Sequence, residues 1–446
     1  MPTIPTMSLR ELTMALRSRE LSVVEHVTDV LDRLAADTHN AVITLDTDAA
    51  LKSAAGLDAE LARGEWRGPL HGVALGVKDL FDVAGLRTTA GSDVLADAPP
   101  AEVDAPVVAR LRQAGAVPVA KLHTHEFAYG PTGDVAATGP ARNPHDRSRI
   151  TGGSSSGSAA AIAAGHLPLA LGTDTGASVR TPAALCGVVG LKPTYGALPT
   201  EGVFPLSETC DHVGVLAADV HGASVAWDVL SRPDGTGGGI QAPGVDGVRV
   251  GLLLDGYWQA ADPVLGEAVR AAALRLEARG AHVVELRTPV IDELAATYGT
   301  IVGAEAYATH ARWLGERPDA YQPITRERLL PNADMPAGVY VEALRTRRRL
   351  VPQLRAAVDG VDVLLLPTTR LRATPIGVPE VEVGGSAVLV RMALLALTLP
   401  FNLTGWPAVS VPGAVADGEL PAGVQVVGVR LEERGVLRVA EAIAGS

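Results

Sequence analysis

The spacing of hydrophobic positions along this 446-residue chain changes several times, and each change marks an element. Near the start, two stretches carry apolar residues at three- and four-residue intervals. Each opens on a serine followed three residues later by a glutamate: Ser8 with Glu11, and Ser22 with Glu25. In this capping-box pattern the serine hydroxyl and the glutamate carboxylate satisfy free N–H groups of the first turn, so two amphipathic helices are expected. From Leu70 to Leu216 short apolar runs alternate with Ala-rich stretches. Such runs predict strands covered on both faces, and hence an α/β sheet with helices on each side. Residues 248–254 and 361–367 read as further buried strands, with helices over 263–279 and 336–358 between them.

The most informative stretch runs from Gly152 to Thr194. Its first part, GGSSSGS, leads into an Ala-rich helix over 156–165 that Gly165 terminates, and 167–172 is an apolar run of strand length. A second turn, TDTGAS at 173–178, follows, and Pro182 lies just inside the next helical pattern. Helix out and strand back can place the two serine turns side by side. The second turn precedes a helix, where free N–H groups and the positive end of the dipole favour an anion. The N–H groups of Thr175, Gly176, Ala177 and Ser178 are therefore candidates for an oxyanion hole.

Other readings of GGSSSGS fit less well. A flexible linker would not be followed by an ordered helix and strand. A phosphate-binding loop would need a lysine in a GK(S/T) context, which is absent. Residues 153–157 match G-x-S-x-G with Ser155 as nucleophile, but that motif needs a hydrophobic strand before it, and the lead-in ARNPHDRSRIT is polar and contains proline. No lysine lies three residues after a serine, which removes the S-x-x-K class.

Positive charge comes almost entirely from arginine; the four lysines are Lys52, Lys78, Lys121 and Lys192. Arginine stays protonated in proteins, whereas a buried lysine can lose its proton and act as a base. Lys78 ends the apolar run Val-Ala-Leu-Gly-Val, so it is the candidate base. Lys192 reads as structural, and Lys52 and Lys121 as surface or strand-end residues.

The formal net charge of −12 argues against nucleic acid or an anionic membrane as partner. No apolar run reaches the ~18 residues of a spanning helix, and no signal core is visible at the start. Two cysteines, Cys186 and Cys210, do not make a disulfide framework, so a reducing, cytoplasmic setting is expected. The histidines are scattered without metal-ligand spacing, and no metal or organic cofactor is expected.

The motifs together resemble the amidase signature family. GGSSSGS, GTDTGASVR and CGVVGLKPT follow the family's signature. The likeness continues in GPLHGVALGVKDLFDVAG, HEFAYGPTGD, DHVGVLA, FNLTGWPAVSVP and the closing GVQVVGVRLEERGVLRVAEAIA. It covers nearly the whole chain and is weakest between residues 238 and 360. The resemblance implies a single domain on a large, mixed, twisted sheet. Within it 1–65 would be N-terminal helices, 66–217 the signature core, 218–375 a variable pocket region and 376–446 the C-terminal part.

It also implies roles: Lys78 as base, Ser154 as a bridging serine behind a cis peptide bond from Gly153, and Ser178 as nucleophile. Ser155 would support the bridging serine by hydrogen bonding, and Asp174 and Arg180 would order the nucleophile loop. The reaction implied is hydrolysis of an amide or carbamate C–N bond through an acyl-enzyme, by a monomer or homodimer acting on a small molecule. Phe127, Tyr129, Trp406 and Trp258 are candidates for an apolar substrate wall. The alternative is a glutaminase-type subunit delivering ammonia to a partner, which would need a charged pocket; Arg370 and Arg372 are candidates for it. One departure stands out. Ala177 occupies the place of the family's second loop glycine, where a positive φ would cost ~1–2 kcal/mol.

Overall fold

The two capping boxes form as the sequence predicts. In the computed structural model, which describes residues 7–232 and 244–445, Ser8 and Ser22 cap the helices Leu9–Ser18 and Val23–Ala35, each in reciprocal contact with its glutamate. Both helices turn a strip of leucines and valines inward.

The strands in chain order begin with β1 (Val42–Leu45), β2 (Ala74–Lys78), β3 (Val117–Leu122) and β4 (Leu169–Thr173). Next come β5 (Val189–Lys192), β6 (Val213–Ala217), β7 (Arg249–Leu252), β8 (His282–Glu285) and β9 (Val363–Pro367). The last are β10 (Glu380–Val383), β11 (Ser386–Leu389), β12 (Ala408–Pro412) and β13 (Gly423–Gly428). Among the described residues, eleven strands form one mixed sheet in the order β1-β3-β2-β4-β6-β5-β12-β13-β9-β7-β8, and β10 and β11 form a separate hairpin. Every residue of β2, β3, β4, β5, β6, β9 and β13 is buried. Successive side chains point to opposite faces, so complete burial means that helices cover both faces. At the edge, β8 leaves three of its four residues exposed.

The Ala-rich helix forms over Ser156–Ala163, and Gly165, with φ +74°, follows it in a conformation that glycine adopts without strain. One apolar core extends from Leu9 to Ile443 and takes in both the signature segment and the later strands. Among the described residues no helix is long and apolar enough to cross a membrane.

Lys121 corrects the sequence-based expectation. It is fully buried in β3, 2.7 Å from Asp79, and also donates to the Arg87 carbonyl at 3.0 Å. The carboxylate that makes this burial tolerable lies across the strand pair, where sequence spacing gives no sign of it. Lys192 is likewise buried, donating to the Pro193 carbonyl at 2.9 Å, while Lys52 is exposed.

Candidate active site

β2 and β4 run parallel with Val77 opposite Leu171, so their C-terminal ends finish at the same edge. In open α/β sheets this is where ligands bind. Lys78 is the last residue of β2 and Thr173 the last of β4. The Lys78 Nζ donates to Ser154 Oγ at 2.6 Å and to Thr173 Oγ1 at 2.8 Å. Lys78 is fully buried and makes no ion pair among the described residues. Burial pushes its pKa well below the usual lysine value, and the more distant charges of Asp174 and Asp211 only partly oppose this.

The Gly153–Ser154 peptide bond is cis. The Gly153 N–H donates to the Pro131 carbonyl at 2.7 Å, and a Cβ at 153 would lie 2.7 Å from the Gly133 nitrogen, so only glycine fits. The two serine turns meet as expected, with the Ser155 N–H donating to the Ser178 carbonyl at 3.1 Å. The Ser155 hydroxyl donates to the Thr173 carbonyl and accepts from the Thr173 N–H, both at 3.3 Å. Ser155 thus ties the first turn to the end of β4.

Asp174 and Arg180 form a fully buried pair on the second turn, through Arg180 Nε to Oδ2 at 3.0 Å and Nη2 to Oδ1 at 2.8 Å. The remaining Arg180 donors reach Asn402 Oδ1 at 2.6 Å, Gln425 Oε1 at 2.8 Å and the Thr398 carbonyl at 2.9 Å. Asp174 also accepts from the Val179 and Arg180 N–H groups at 3.1 and 3.3 Å. This network fixes the loop on both sides of Ser178 and reaches the Gly176 carbonyl at 3.4 Å, leaving the N–H groups between free. Among the described residues, the backbone N–H groups of Thr175, Gly176, Ala177 and Ser178 make no hydrogen bond. Ala177 is buried and has no positive φ, so its methyl is accommodated without backbone strain. At Gly176 a Cβ would overlap the Tyr298 hydroxyl.

Thr175, Ser178, Tyr129 and Tyr298 line a cavity of about 230 Å³. Its far wall comes from one side of the helix Ile291–Glu316 and from the helix Val390–Leu395, which carries Arg391 and Met392. Of the aromatic residues expected to form the substrate wall, Tyr129 is the one that faces this cavity. Phe127 has φ +50°, and that left-handed turn sends its ring into the core against His310, Phe204 and Tyr321. Trp406 is buried beneath Arg355 and stacked on Phe401, while Trp258 also stacks on Phe401 and donates to Thr288. Arg370 lies over the Tyr257 ring, and Arg372 is paired with Asp262 and Glu419; neither faces the cavity.

The sequence did not single out Thr173, Asp211, Asn402 or Tyr298. Asp211 accepts the Thr175 hydroxyl at 2.5 Å and the Leu206 and Ser207 N–H groups. Burial raises its carboxyl to about 6, opposed by those hydrogen bonds. Asp211 reaches the site because β6 starts beside the end of β4, with Thr173 opposite Val213. Away from this edge the fold gathers Asp37, His39 and His166, which the spacing of the histidines did not suggest. Both imidazoles bond Asp37 Oδ1, at 3.1 and 3.2 Å.

Lys78 meets Ser154 at the end of β2, Ser178 is tied to the same turn through Ser155, and sequence comparison names the class to which such a sheet belongs. The chain belongs to the amidase family, whose model matches residues 25–437. AtzE of Pseudomonas sp. (strain ADP), named as one subunit of 1-carboxybiuret hydrolase, is 38% identical over 416 residues, covering 91% of this chain and 90% of that protein. A glutamyl-tRNA(Gln) amidotransferase subunit from Carboxydothermus hydrogenoformans is 34% identical over 473 residues, covering 98% and 96%. A solved structure described as an amidase superposes with a TM-score of 0.90 at 39% identity, covering 98% of this chain and 99% of that one. The chain is accordingly an enzyme of the class that hydrolyses amide C–N bonds.

Proposed function

We propose that this chain hydrolyses small linear amides through a covalent acyl-enzyme on Ser178. The observation that carries this reading is the 2.6 Å contact between the Lys78 Nζ and Ser154 Oγ, made by a buried lysine without a carboxylate partner. Once Lys78 has lost its proton, the same contact lets its nitrogen accept the Ser154 proton as Ser154 accepts that of Ser178. Ser178 Oγ then attacks the carbonyl carbon, and the four free N–H groups of residues 175–178 receive the negative charge that develops on oxygen. As the C–N bond breaks, the relay runs in reverse and delivers a proton to the leaving nitrogen. Water, deprotonated along the same route, displaces Ser178 and releases the acid.

Ser155, Asp174 and Arg180 position this machinery, and the chemistry uses no metal or organic cofactor. Carbamates are isosteric with amides at the reacting carbon and belong to the same proposal. The enzyme would act as a cytoplasmic monomer or homodimer. A second reading, as one component of a larger assembly, is favoured by both of these relatives being named as subunits.

The test is product release from alkyl amides, aryl amides, aryl carbamates and glutamine by the wild type and Ser178→Ala. Turnover that vanishes in the variant supports the reading. Turnover that survives places the nucleophile elsewhere, and inactivity of the isolated wild type on all of them favours the partnered form.

A further inference from the structure

Arg391 is the unusual group in the cavity wall. It lies second in the helix Val390–Leu395, lines the same cavity as Ser178, and is only partly exposed. Among the described residues its guanidinium makes no hydrogen bond and no ion pair, and its Nε is buried without a partner. The other arginines near the site are committed. Arg180 is saturated by Asp174, Asn402 and Gln425, and Arg328 donates to the Tyr129 carbonyl at 2.8 Å. The charge on Arg391 reaches Tyr129, Tyr298, His125 and Arg328, and among the described residues no carboxylate pairs with it.

A partly desolvated guanidinium is costly unless something pairs with it. Arginine's planar fork is matched by a carboxylate, which it binds through two parallel N–H···O bonds. Apart from the Tyr298 phenol, the rest of the far wall is apolar: Ala295, Val302, Met392, Leu395 and Leu399. The cavity, about 230 Å³, is also smaller than the ~300–1,000 Å³ typical of pockets for drug-sized ligands. One small molecule inside it therefore meets Ser178 and Arg391 together.

We propose that Arg391 anchors a carboxylate of the substrate, so that this enzyme selects small amides bearing an anionic carboxylate near the scissile bond. The inference rests on Ser178 marking the reacting end of the cavity. It refines the apolar wall expected from sequence: the apolar surface accommodates the short linker, and the single cation selects its far end.

The test compares kcat/KM for succinamate and for butanamide, its uncharged counterpart of similar size, with acetylglycine placing the carboxylate on the amine side instead. Wild type should prefer one of the two anionic amides over butanamide by about 100-fold or more, since sites built around a polar partner can reject analogues lacking it by ~10⁴–10⁵-fold. Arg391→Leu should reduce that ratio at least tenfold, mostly through KM, and Arg391→Lys should lie between, because it keeps the charge and loses the fork. Calorimetric titration of succinate and glutarate into Ser178→Ala, with and without Arg391→Leu or Arg391→Lys, reads the anchor independently of turnover. Tenfold or weaker binding in the Arg391 variants supports it. A wild type indifferent to the carboxylate, dicarboxylates that do not bind, or affinities unmoved by either substitution would overturn it. Turnover that survives Ser178→Ala defeats the nucleophile assignment alone, because the titration still reports on Arg391.

Discussion

Lys78 and Lys121 lie on adjacent strands with their side chains fully buried, yet only Lys121 has a carboxylate in contact, Asp79 at 2.7 Å. The two ammonium groups share similar surroundings and opposite fates. Lys121 is paired with a carboxylate, whereas Lys78 is driven toward the neutral amine by burial. Replacing them should therefore have opposite effects on stability. Lys121→Met strands a buried Asp79 and should cost about 3–5 kcal/mol. Lys78→Met removes a group that must give up its proton to fold, so its melting temperature should rise while activity is lost. The gain should be largest below the folded-state pKa of Lys78 and shrink as pH rises toward the unfolded value of about 10.4. Thermal denaturation of both variants across pH checks this.

The pH–rate profile should climb on its acid side as Lys78 loses its proton, with kcat/KM reporting the free enzyme. Lys78→Arg keeps the charge and cannot accept a proton, so it should lower kcat by about 10²–10⁴-fold. A profile flat from about pH 5 to 9 would argue against lysine as the base.

Gly176→Ala drives a methyl into the Tyr298 hydroxyl and should displace the N–H groups beside Ser178. A loss of about 10²–10³-fold in kcat is expected, the range for removing one oxyanion donor. Pairing it with Tyr298→Ala should recover part of the loss, because the overlap is with that ring. Steady-state kinetics of the two single variants and the double variant separate displacement from direct damage.

Acid should loosen the nucleophile loop. Burial alone would raise the Asp174 carboxyl, but the charge and hydrogen bonds of Arg180, with Lys192 and Asn402, hold it well below the usual carboxylate range. A depressed carboxylate adds stability above its unfolded pKa, about 3.9, and that contribution is lost as pH falls through the folded value. Asp174→Asn should therefore unfold more easily at pH 7 and show a shallower loss of stability with acid than wild type. Urea titrations from about pH 2 to 7 measure both slopes, which should diverge below about pH 4.

Much of the fold was legible because its signals are local. Ser8 with Glu11 and Ser22 with Glu25 announce helix starts, and the unbroken apolar runs that became β2, β4 and β9 announce strands covered on both sides. The two serine turns were legible for the same reason, since a helix out and a strand back determine where they meet. The pocket was not. Phe127 and Tyr129 are two residues apart and look equally suited to a wall, but a left-handed φ at 127 sends one ring inward while the other faces the cavity. Tyr298 and Arg391 sit on helices whose placement depends on packing across the whole core, and a helical pattern records which side is apolar, not what that side meets. Asp211 needed the register of β6 against β4.

The Arg180 network gives the order of synthesis a meaning. Its acceptors Asn402 and Gln425 lie 222 and 245 positions further along the chain. A nascent polypeptide that has already made Lys78, Ser154 and Ser178 still lacks the groups that hold the loop between them. Competence to react should thus arrive only once Asn402 and Gln425 have been made. Two fragments divided anywhere between the signature and residue 400 should each be inert and regain activity only when recombined.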